Sequence, residues 1–221
     1  MYLILLGPPG SGKGTQAALL AERFGWLHIA TGDMLREAVA ADSDLGRAAK
    51  AHMDAGALVP DELVISMLGE RIGRPDAAAG FILDGFPRNL AQALALDEAL
   101  ERAGKSIDLA LSVEVADAEL VRRLGGRWLC RSCGAIYHEL ASPPAISGRC
   151  DRCGGELYQR ADDRPETAAA RLELQKPPAE LIDHYRAKGR LVAIDGSQAV
   201  EAVTAALVSA LATAPAGGVE R

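Results

Sequence analysis

A chain of 221 residues has room for one α/β domain with a small insertion, and its 49% hydrophobic content is enough to bury a substantial core. The formal net charge of −6 argues against nucleic acid or an anionic membrane as a partner of the whole surface, so any anion site must be a local cluster of Arg and Lys. No window approaches the roughly 18 apolar residues that a membrane span needs.

The first element is the apolar run Tyr2-Leu3-Ile4-Leu5-Leu6. It is too short for a signal peptide and has no charged region before it, so it reads as a buried strand. Gly7-Pro8-Pro9-Gly10-Ser11-Gly12-Lys13 follows and matches G-x-x-x-x-G-K, with a helix predicted over 15–24. Strand, glycine loop and helix in that order are the context a phosphate loop requires. Its backbone N–H groups turn inward to cradle oxygens, the helix contributes its positive end, and Lys13 brings a full charge. Where Ser or Thr usually comes next, this chain has Gly14, with Thr15 one place later, which removes a direct hydroxyl ligand for Mg²⁺ from the usual position.

Further strands are predicted at 27–30, 81–83, 109–115 and 191–194, and helices at 61–72, 89–103 and 117–124. Strands apolar throughout and separated by helices imply a parallel sheet covered on both faces. Asp61 and Asp117 stand where N-caps are expected. Asp84 follows Phe81-Ile82-Leu83, so its carboxylate should emerge at a strand's carboxyl end, the edge where open parallel sheets bind ligands.

The pattern breaks at Gly125-Gly126, and from 127 to 163 the chain is rich in Gly, Pro, Cys and Ser and short of helical periodicity. This stretch reads as a small inserted domain. It holds all four cysteines within 24 positions, as Cys130-x2-Cys133-x16-Cys150-x2-Cys153. Each pair is followed by glycine and then tyrosine (Gly134…Tyr137, Gly154…Tyr158), so the insertion looks like two similar knuckles. The spacing fits a structural tetrahedral zinc site, with iron on the same thiolates, free thiols or two redox-active pairs as alternatives. It is not the distribution of a secreted disulfide framework, so a reducing cytoplasm is expected. A helix resumes near Glu166, Pro177-Pro178 interrupt it, a final helix spans 199–212, and 214–218 should fray.

Six motifs together resemble the adenylate kinase family. They are the phosphate loop, Thr31-Gly32-Asp33-Met34-Leu35-Arg36, Asp84-Gly85-Phe86-Pro87-Arg88, Gly126-Arg127, Arg160-x-Asp162-Asp163 and Ile194-Asp195-Gly196. The resemblance covers nearly the whole chain in order and spacing, and it is to the long form with a cysteine-rich lid. It implies a P-loop three-layer fold with a parallel five-stranded sheet. Residues 1–29, 60–125 and 164–221 would form the core, 30–59 a helical segment clasping a monophosphate, and 126–163 a zinc-binding lid.

The implied activity is reversible phosphoryl transfer from MgATP to AMP, giving two ADP. The resemblance places Gly10, Ser11, Gly12, Lys13, Gly14 and Thr15 around ATP phosphates, with Arg127, Ile136, Tyr137 and Gln198 also at the ATP side. Thr31, Arg36, Ala57, Leu58, Val59, Gly85, Phe86, Pro87 and Arg88 would surround AMP, and Gln92 would read its base, since an amide can both accept from and donate to adenine. Lys13, Asp84, Arg88, Arg123, Arg160 and Arg171 would carry the transfer, Arg160 and Arg171 also reaching AMP. ATP and AMP or ADP are the implied partners, with no nucleic acid or membrane, and a monomer is the family's usual state.

Two rival readings remain. One is a kinase for UMP, CMP or GMP. The other is a zinc-ribbon nucleic-acid-binding ATPase, which would want a basic face on the insertion; there Arg131, Arg149 and Arg152 are interspersed with Glu139, Asp151 and Glu156.

Overall fold

A computed structural model describes residues 1–213, with the side chains of 161, 165 and 166 excepted. The expected fraying at 214–218 lies outside the described residues. The chain runs through β1 (Tyr2–Leu6), α1 (Lys13–Phe24), β2 (Leu27–Ala30), α2 (Thr31–Ala40), α3 (Asp44–Asp54), α4 (Asp61–Ile72), β3 (Phe81–Asp84), α5 (Leu90–Arg102), β4 (Leu109–Glu114) and α6 (Asp117–Gly125). Then come β5 (Arg127–Cys130), β6 (Ile136–His138), β7 (Leu157–Tyr158), α7 (Pro165–Gln175), α8 (Ala179–Ala187), β8 (Leu191–Asp195) and α9 (Val200–Ala212).

The five predicted strands form one parallel sheet in the order β2-β3-β1-β4-β8. Alternation along β1 explains why both faces need cover. Leu3 and Leu5 pack with Ala17, Leu20, Leu111 and Leu207, while Ile4 and Leu6 pack with Leu83, Phe86, Leu96 and Tyr185. The parallel register brings the carboxyl ends of β1, β3 and β4 to one edge, so the loop after Leu6, the Asp84 carboxylate and the start of α6 become neighbours.

The insertion forms a separate antiparallel sheet, β6-β5-β7, over a small cluster of Cys130, Ala135, Tyr137, Cys150 and Leu157 with Trp128 against it.

Helix starts differ from the sequence reading by a residue. Pro60 and Ala116 are the caps, and Asp61 and Asp117 lie in the first turn, where a carboxylate meets the positive helix end. Asp61 is drawn away from capping because its carboxylate accepts from Asn89 Nδ2 and Gln92 Nε2. Pro177-Pro178 end α7 at Gln175, and α8 starts afresh after Pro178. No described helix is long and apolar enough to cross a membrane.

Candidate functional site

One cleft of about 940 Å³ opens at the carboxyl edge of the sheet, between the loop after β1, the start of α2, the loop after β3, α6 and the insertion. Its floor is the phosphate loop. Gly12, at φ 96°, caps α1 in a left-handed conformation that other residues adopt only with strain, and this swings the first helical N–H groups toward the cleft. Lys13 Nζ donates to the Pro8 carbonyl at 2.8 Å and lies 3.4 Å from Ser11 Oγ, so it is held by neutral acceptors. Burial, only partly offset by Asp84, pushes the Lys13 ammonium down to about 7.

Asp84 ends β3 and faces the loop. A Cβ on Gly14 would stand 3.2 Å from Asp84 Oδ2. That gives the missing hydroxyl a physical reason, because a side chain at position 14 would crowd the carboxylate. Burial pushes the Asp84 carboxyl up, but the adjacent His28 imidazole and the charges of Lys13 and Arg88 outweigh it and hold it below its ordinary value. His28 Nε2 lies 3.8 Å from Asp84 Oδ2 and is buried without a hydrogen-bond partner among the described residues.

The arginines converge on the same space. Arg36, Arg88, Arg123, Arg127, Arg160 and Arg171 all line the cleft, together with Lys13. Each comes from a different stretch of chain, and most are held by acids that occupy positions an anionic ligand could take over. Asp33 accepts from Arg36 at 2.5 Å and from Arg160 at 3.1 Å. Asp163, fully buried, binds Arg127 at 2.8 and 2.5 Å and Arg171 at 2.6 Å. Glu119 and the Gly196 carbonyl hold Arg123 at 2.7 and 3.0 Å. Burial lowers Arg88 and Arg160 from their ordinary values and brings Arg171 to about 10; a guanidinium in a protein keeps its charge at neutral pH. Arg160 Nε is buried without a partner among the described residues, a guanidinium donor left over for an anion.

The remaining candidates divide. Gly10, Ser11, Thr15, Ile136, Tyr137 and Gln198 line the cleft, with Gln198 also donating to Asp195 at 3.0 Å. Gly85 lies beside Thr31 and Arg88, and a Cβ there would come within 3.0 Å of both side chains. Thr31 is buried and donates to the Asp84 carbonyl at 3.3 Å. Val59 and Phe86 are buried in the main core, and Ala57, Leu58 and Pro87 also stay off the open cleft. Gln92 is buried too, accepting from the Arg88 N–H at 2.7 Å and donating to Asp61 at 2.6 Å. Tyr137 reaches the cysteines as well, since its hydroxyl accepts from Asp151 N at 2.7 Å and lies 3.4 Å from Cys150 Sγ.

The sequence reading assigned no role to Asp33, Asp163, Glu119 or His28 at this site. Asp33 and Glu119 did carry a signal, since they precede Arg36 and Arg123 by three and four helical positions, the spacing at which side chains meet.

The insertion brings Cys130, Cys133, Cys150 and Cys153 together with all Sγ atoms within 4.8 Å of one another. Four thiolates 2.3 Å from a central zinc would be about 3.8 Å apart, so the cluster fits a tetrahedral ion. Each knuckle is built alike. Gly134 N donates to the Cys130 carbonyl and Gly154 N to the Cys150 carbonyl, both glycines at φ near 70°.

The adenylate kinase family model matches residues 5–190. The chain is 54% identical to the adenylate kinase of Archaeoglobus fulgidus over 204 residues, covering 92% of this chain and 94% of that protein. It is 50% identical to the adenylate kinase of Caldicellulosiruptor bescii over 212 residues, 96% and 99% of the two chains. The adenylate kinase of Methanothrix thermoacetophila is 50% identical over 198 residues, 89% and 92%.

Proposed function

This chain belongs to the adenylate kinase family, and we propose that its cleft carries out the family's reaction through the residues assigned below. The enzyme moves a phosphoryl group reversibly between ATP and AMP, giving two ADP. The observation that carries the assignment is the convergence of Lys13, Arg36, Arg88, Arg123, Arg127, Arg160 and Arg171 on one cleft in a chain of net charge −6.

The acceptor, a phosphate oxygen, is already anionic, so no strong base is needed. The work is to set two anions in line and neutralise charge on the group in transit. ATP and AMP together bring roughly six negative charges at neutral pH. Gly10–Thr15 and Lys13 hold ATP phosphates, with Arg127, Ile136, Tyr137 and Gln198 on the insertion side. Thr31, Arg36, Gly85 and Arg88 receive the monophosphate, with Ala57, Leu58, Val59, Phe86 and Pro87 shaping that wall. Arg123, Arg160 and Arg171 close on the transferring group, exchanging Glu119, Asp33 and Asp163 for phosphate oxygens.

ATP would enter with Mg²⁺, which would add charge neutralisation; Asp84, at the cleft end of β3, is the carboxylate that would hold the ion or its waters. Gln92 reads adenine in this assignment, which requires its present hydrogen bonds to Asp61 and Arg88 N to rearrange. Residues 30–59 and 126–163 act as clasp and lid over the core, closing to exclude water as a competing acceptor. The four cysteines hold a structural zinc in the lid. Paired cysteines suited to metal rather than disulfides support a cytoplasmic setting, and the enzyme works as a monomer.

The deciding experiment is a coupled assay of ADP formation from ATP with AMP, UMP, CMP and GMP in turn. AMP should be preferred by at least tenfold in kcat/KM, about what one pair of base-reading hydrogen bonds gives. Preference for another monophosphate would replace the Gln92 assignment.

A further inference from the structure

The side chain of Gln175, the last residue of α7, is buried behind the cleft rather than in it. With Pro177 it borders the small void behind the phosphate loop, alongside Gly7, Lys13 and Arg88. Its amide joins three separate parts of the chain. Oε1 accepts from Arg88 at 3.1 Å and from Arg171 Nε at 3.4 Å, and Nε2 donates to the Gly56 carbonyl at 2.5 Å. The orientation is forced, because a guanidinium only donates and a carbonyl only accepts.

The neighbouring sequence fixes where this amide sits. Lys176 is extended, as a residue before proline must be, and its Nζ pairs with Asp117 of α6 at 2.7 Å. The helix therefore stops with Gln175 facing the arginines and Lys176 anchored to the opposite element. The neutrality of the amide also matters. Among the described residues, Arg88 donates only to the Gly85 carbonyl and the Gln175 amide, so its direction is set while its charge stays uncompensated by a hydrogen-bonded acid. A carboxylate in the same place would bind the guanidinium about twice as strongly and compete with phosphate.

We propose that Gln175 is a positioning residue for phosphoryl transfer, an amide that fixes the mutual orientation of Arg88 and Arg171 and ties both to the turn at Gly56. The proposal rests on the assignment of those arginines to the transferring phosphate. Since Gly56 follows α3, the amide also links arginine placement to the position of the clasp. The link acts on AMP and the reacting phosphoryl group, and leaves ATP binding in the phosphate loop alone.

The test is steady-state kinetics of Gln175→Leu and Gln175→Glu with ATP and AMP varied independently, alongside melting curves. In Gln175→Leu, which loses both arginine acceptance and the tether, kcat should fall about tenfold, as for a lost hydrogen bond to a charged group. KM for AMP should rise while KM for ATP stays within about twofold. Gln175→Glu keeps the acceptor, so kcat should be partly rescued, but its charge should raise KM for AMP about tenfold. A residue that merely ended a helix would lower the melting temperature and leave the constants of the folded protein unchanged. A Gln175→Leu protein with kcat within twofold of the parent, or with the two KM values rising together, overturns the proposal. Should Gln175→Leu not fold, an unchanged KM for AMP in folded Gln175→Glu overturns it equally. A parent protein that forms no ADP from ATP and AMP would instead remove the functional assignment beneath it.

Discussion

The phosphate loop and the cysteine knuckles are both glycine-rich turns crowded with polar groups, yet they are supported differently. Beneath the loop lie Leu3, Ile4 and Leu5, each 1% exposed or less, in a sheet packed on both faces. Beneath the knuckles lies a cluster in which two of the five buried members, Cys130 and Cys150, are themselves candidate metal ligands. The core holds the loop without drawing on its functional groups, so Lys13, Arg88 and Arg160 keep N–H donors to spare for a ligand. The insertion's buried cluster is small for a core, and the proposed zinc site would commit its thiols to its own structure. Chemistry and local stability should therefore separate under mutation, and the following experiments press on that division.

The largest effect belongs to the loop. Lys13→Met should leave a folded protein and lower transfer by about a thousandfold, since the ammonium stabilises charge where it develops. Near-normal turnover in a folded variant would end the central assignment. Removing its buried charge should also raise the melting temperature slightly, the opposite of what a structural residue would do.

Arg88→Ala comes next. Loss of its guanidinium should cut kcat/KM for AMP by about a hundredfold with KM for ATP little changed. Equal damage to both substrates would mean that the cleft does not divide into two nucleotide sites.

A pH experiment follows from Lys13 at about 7. In the free enzyme it loses its proton as pH rises through that value, while a bound phosphate favours the charged form. ATP binding must then take up a proton, and affinity should fall about fivefold between pH 7 and 8. Calorimetry in buffers of different ionisation enthalpy measures the uptake directly; Lys13→Met should abolish it. The stability contribution has the opposite sign. An unfolded chain keeps the lysine proton to near pH 10.5, so the burial penalty on Lys13 is full below pH 7 and fades as pH rises from 7 to 10.5.

The smallest effect on chemistry, and the largest on the insertion, should come from replacing Cys150 and Cys153 with Ser. Structural zinc supplies about 10–16 kcal/mol in small metal-folded domains, so the insertion should melt separately and earlier. At a temperature where the core remains folded, transfer should stay within a few-fold of the parent. Metal analysis should find about one zinc, or iron, per chain, consistent with a single four-thiolate cluster. Unchanged melting in a metal-free preparation would undo the structural role. Complete loss of transfer without unfolding would place the metal in the chemistry.

Local chemistry made much of this legible in the sequence. Mostly apolar runs of three to seven residues separated by helical stretches yield the five parallel strands, because a strand buried on both faces has few polar positions to disguise it. The loop, Asp84 and the cysteine pairs are also local signals, where fixed spacing reflects fixed backbone geometry. Pro177-Pro178 announced a helix break at the residue level, and the break is where their missing N–H groups put it.

What the tertiary structure decided is which charge meets which. Asp163 and Arg127 are 36 positions apart, Asp33 and Arg160 127 apart, and Gln175 and Gly56 119 apart. A contact at such separations has no periodicity to betray it, and its strength depends on burial that only the assembled fold provides. The same holds for Gln92, which the resemblance set against the AMP base and the fold buries between Asp61 and Arg88 N. The sequence determined the sheet, the phosphate loop and the cysteine knuckles because each is set by neighbours along the chain. Packing alone set the protonation of Lys13, the acids standing beside the arginines, and the amide behind them, because electrostatic energies depend on distance and desolvation rather than on order in the chain.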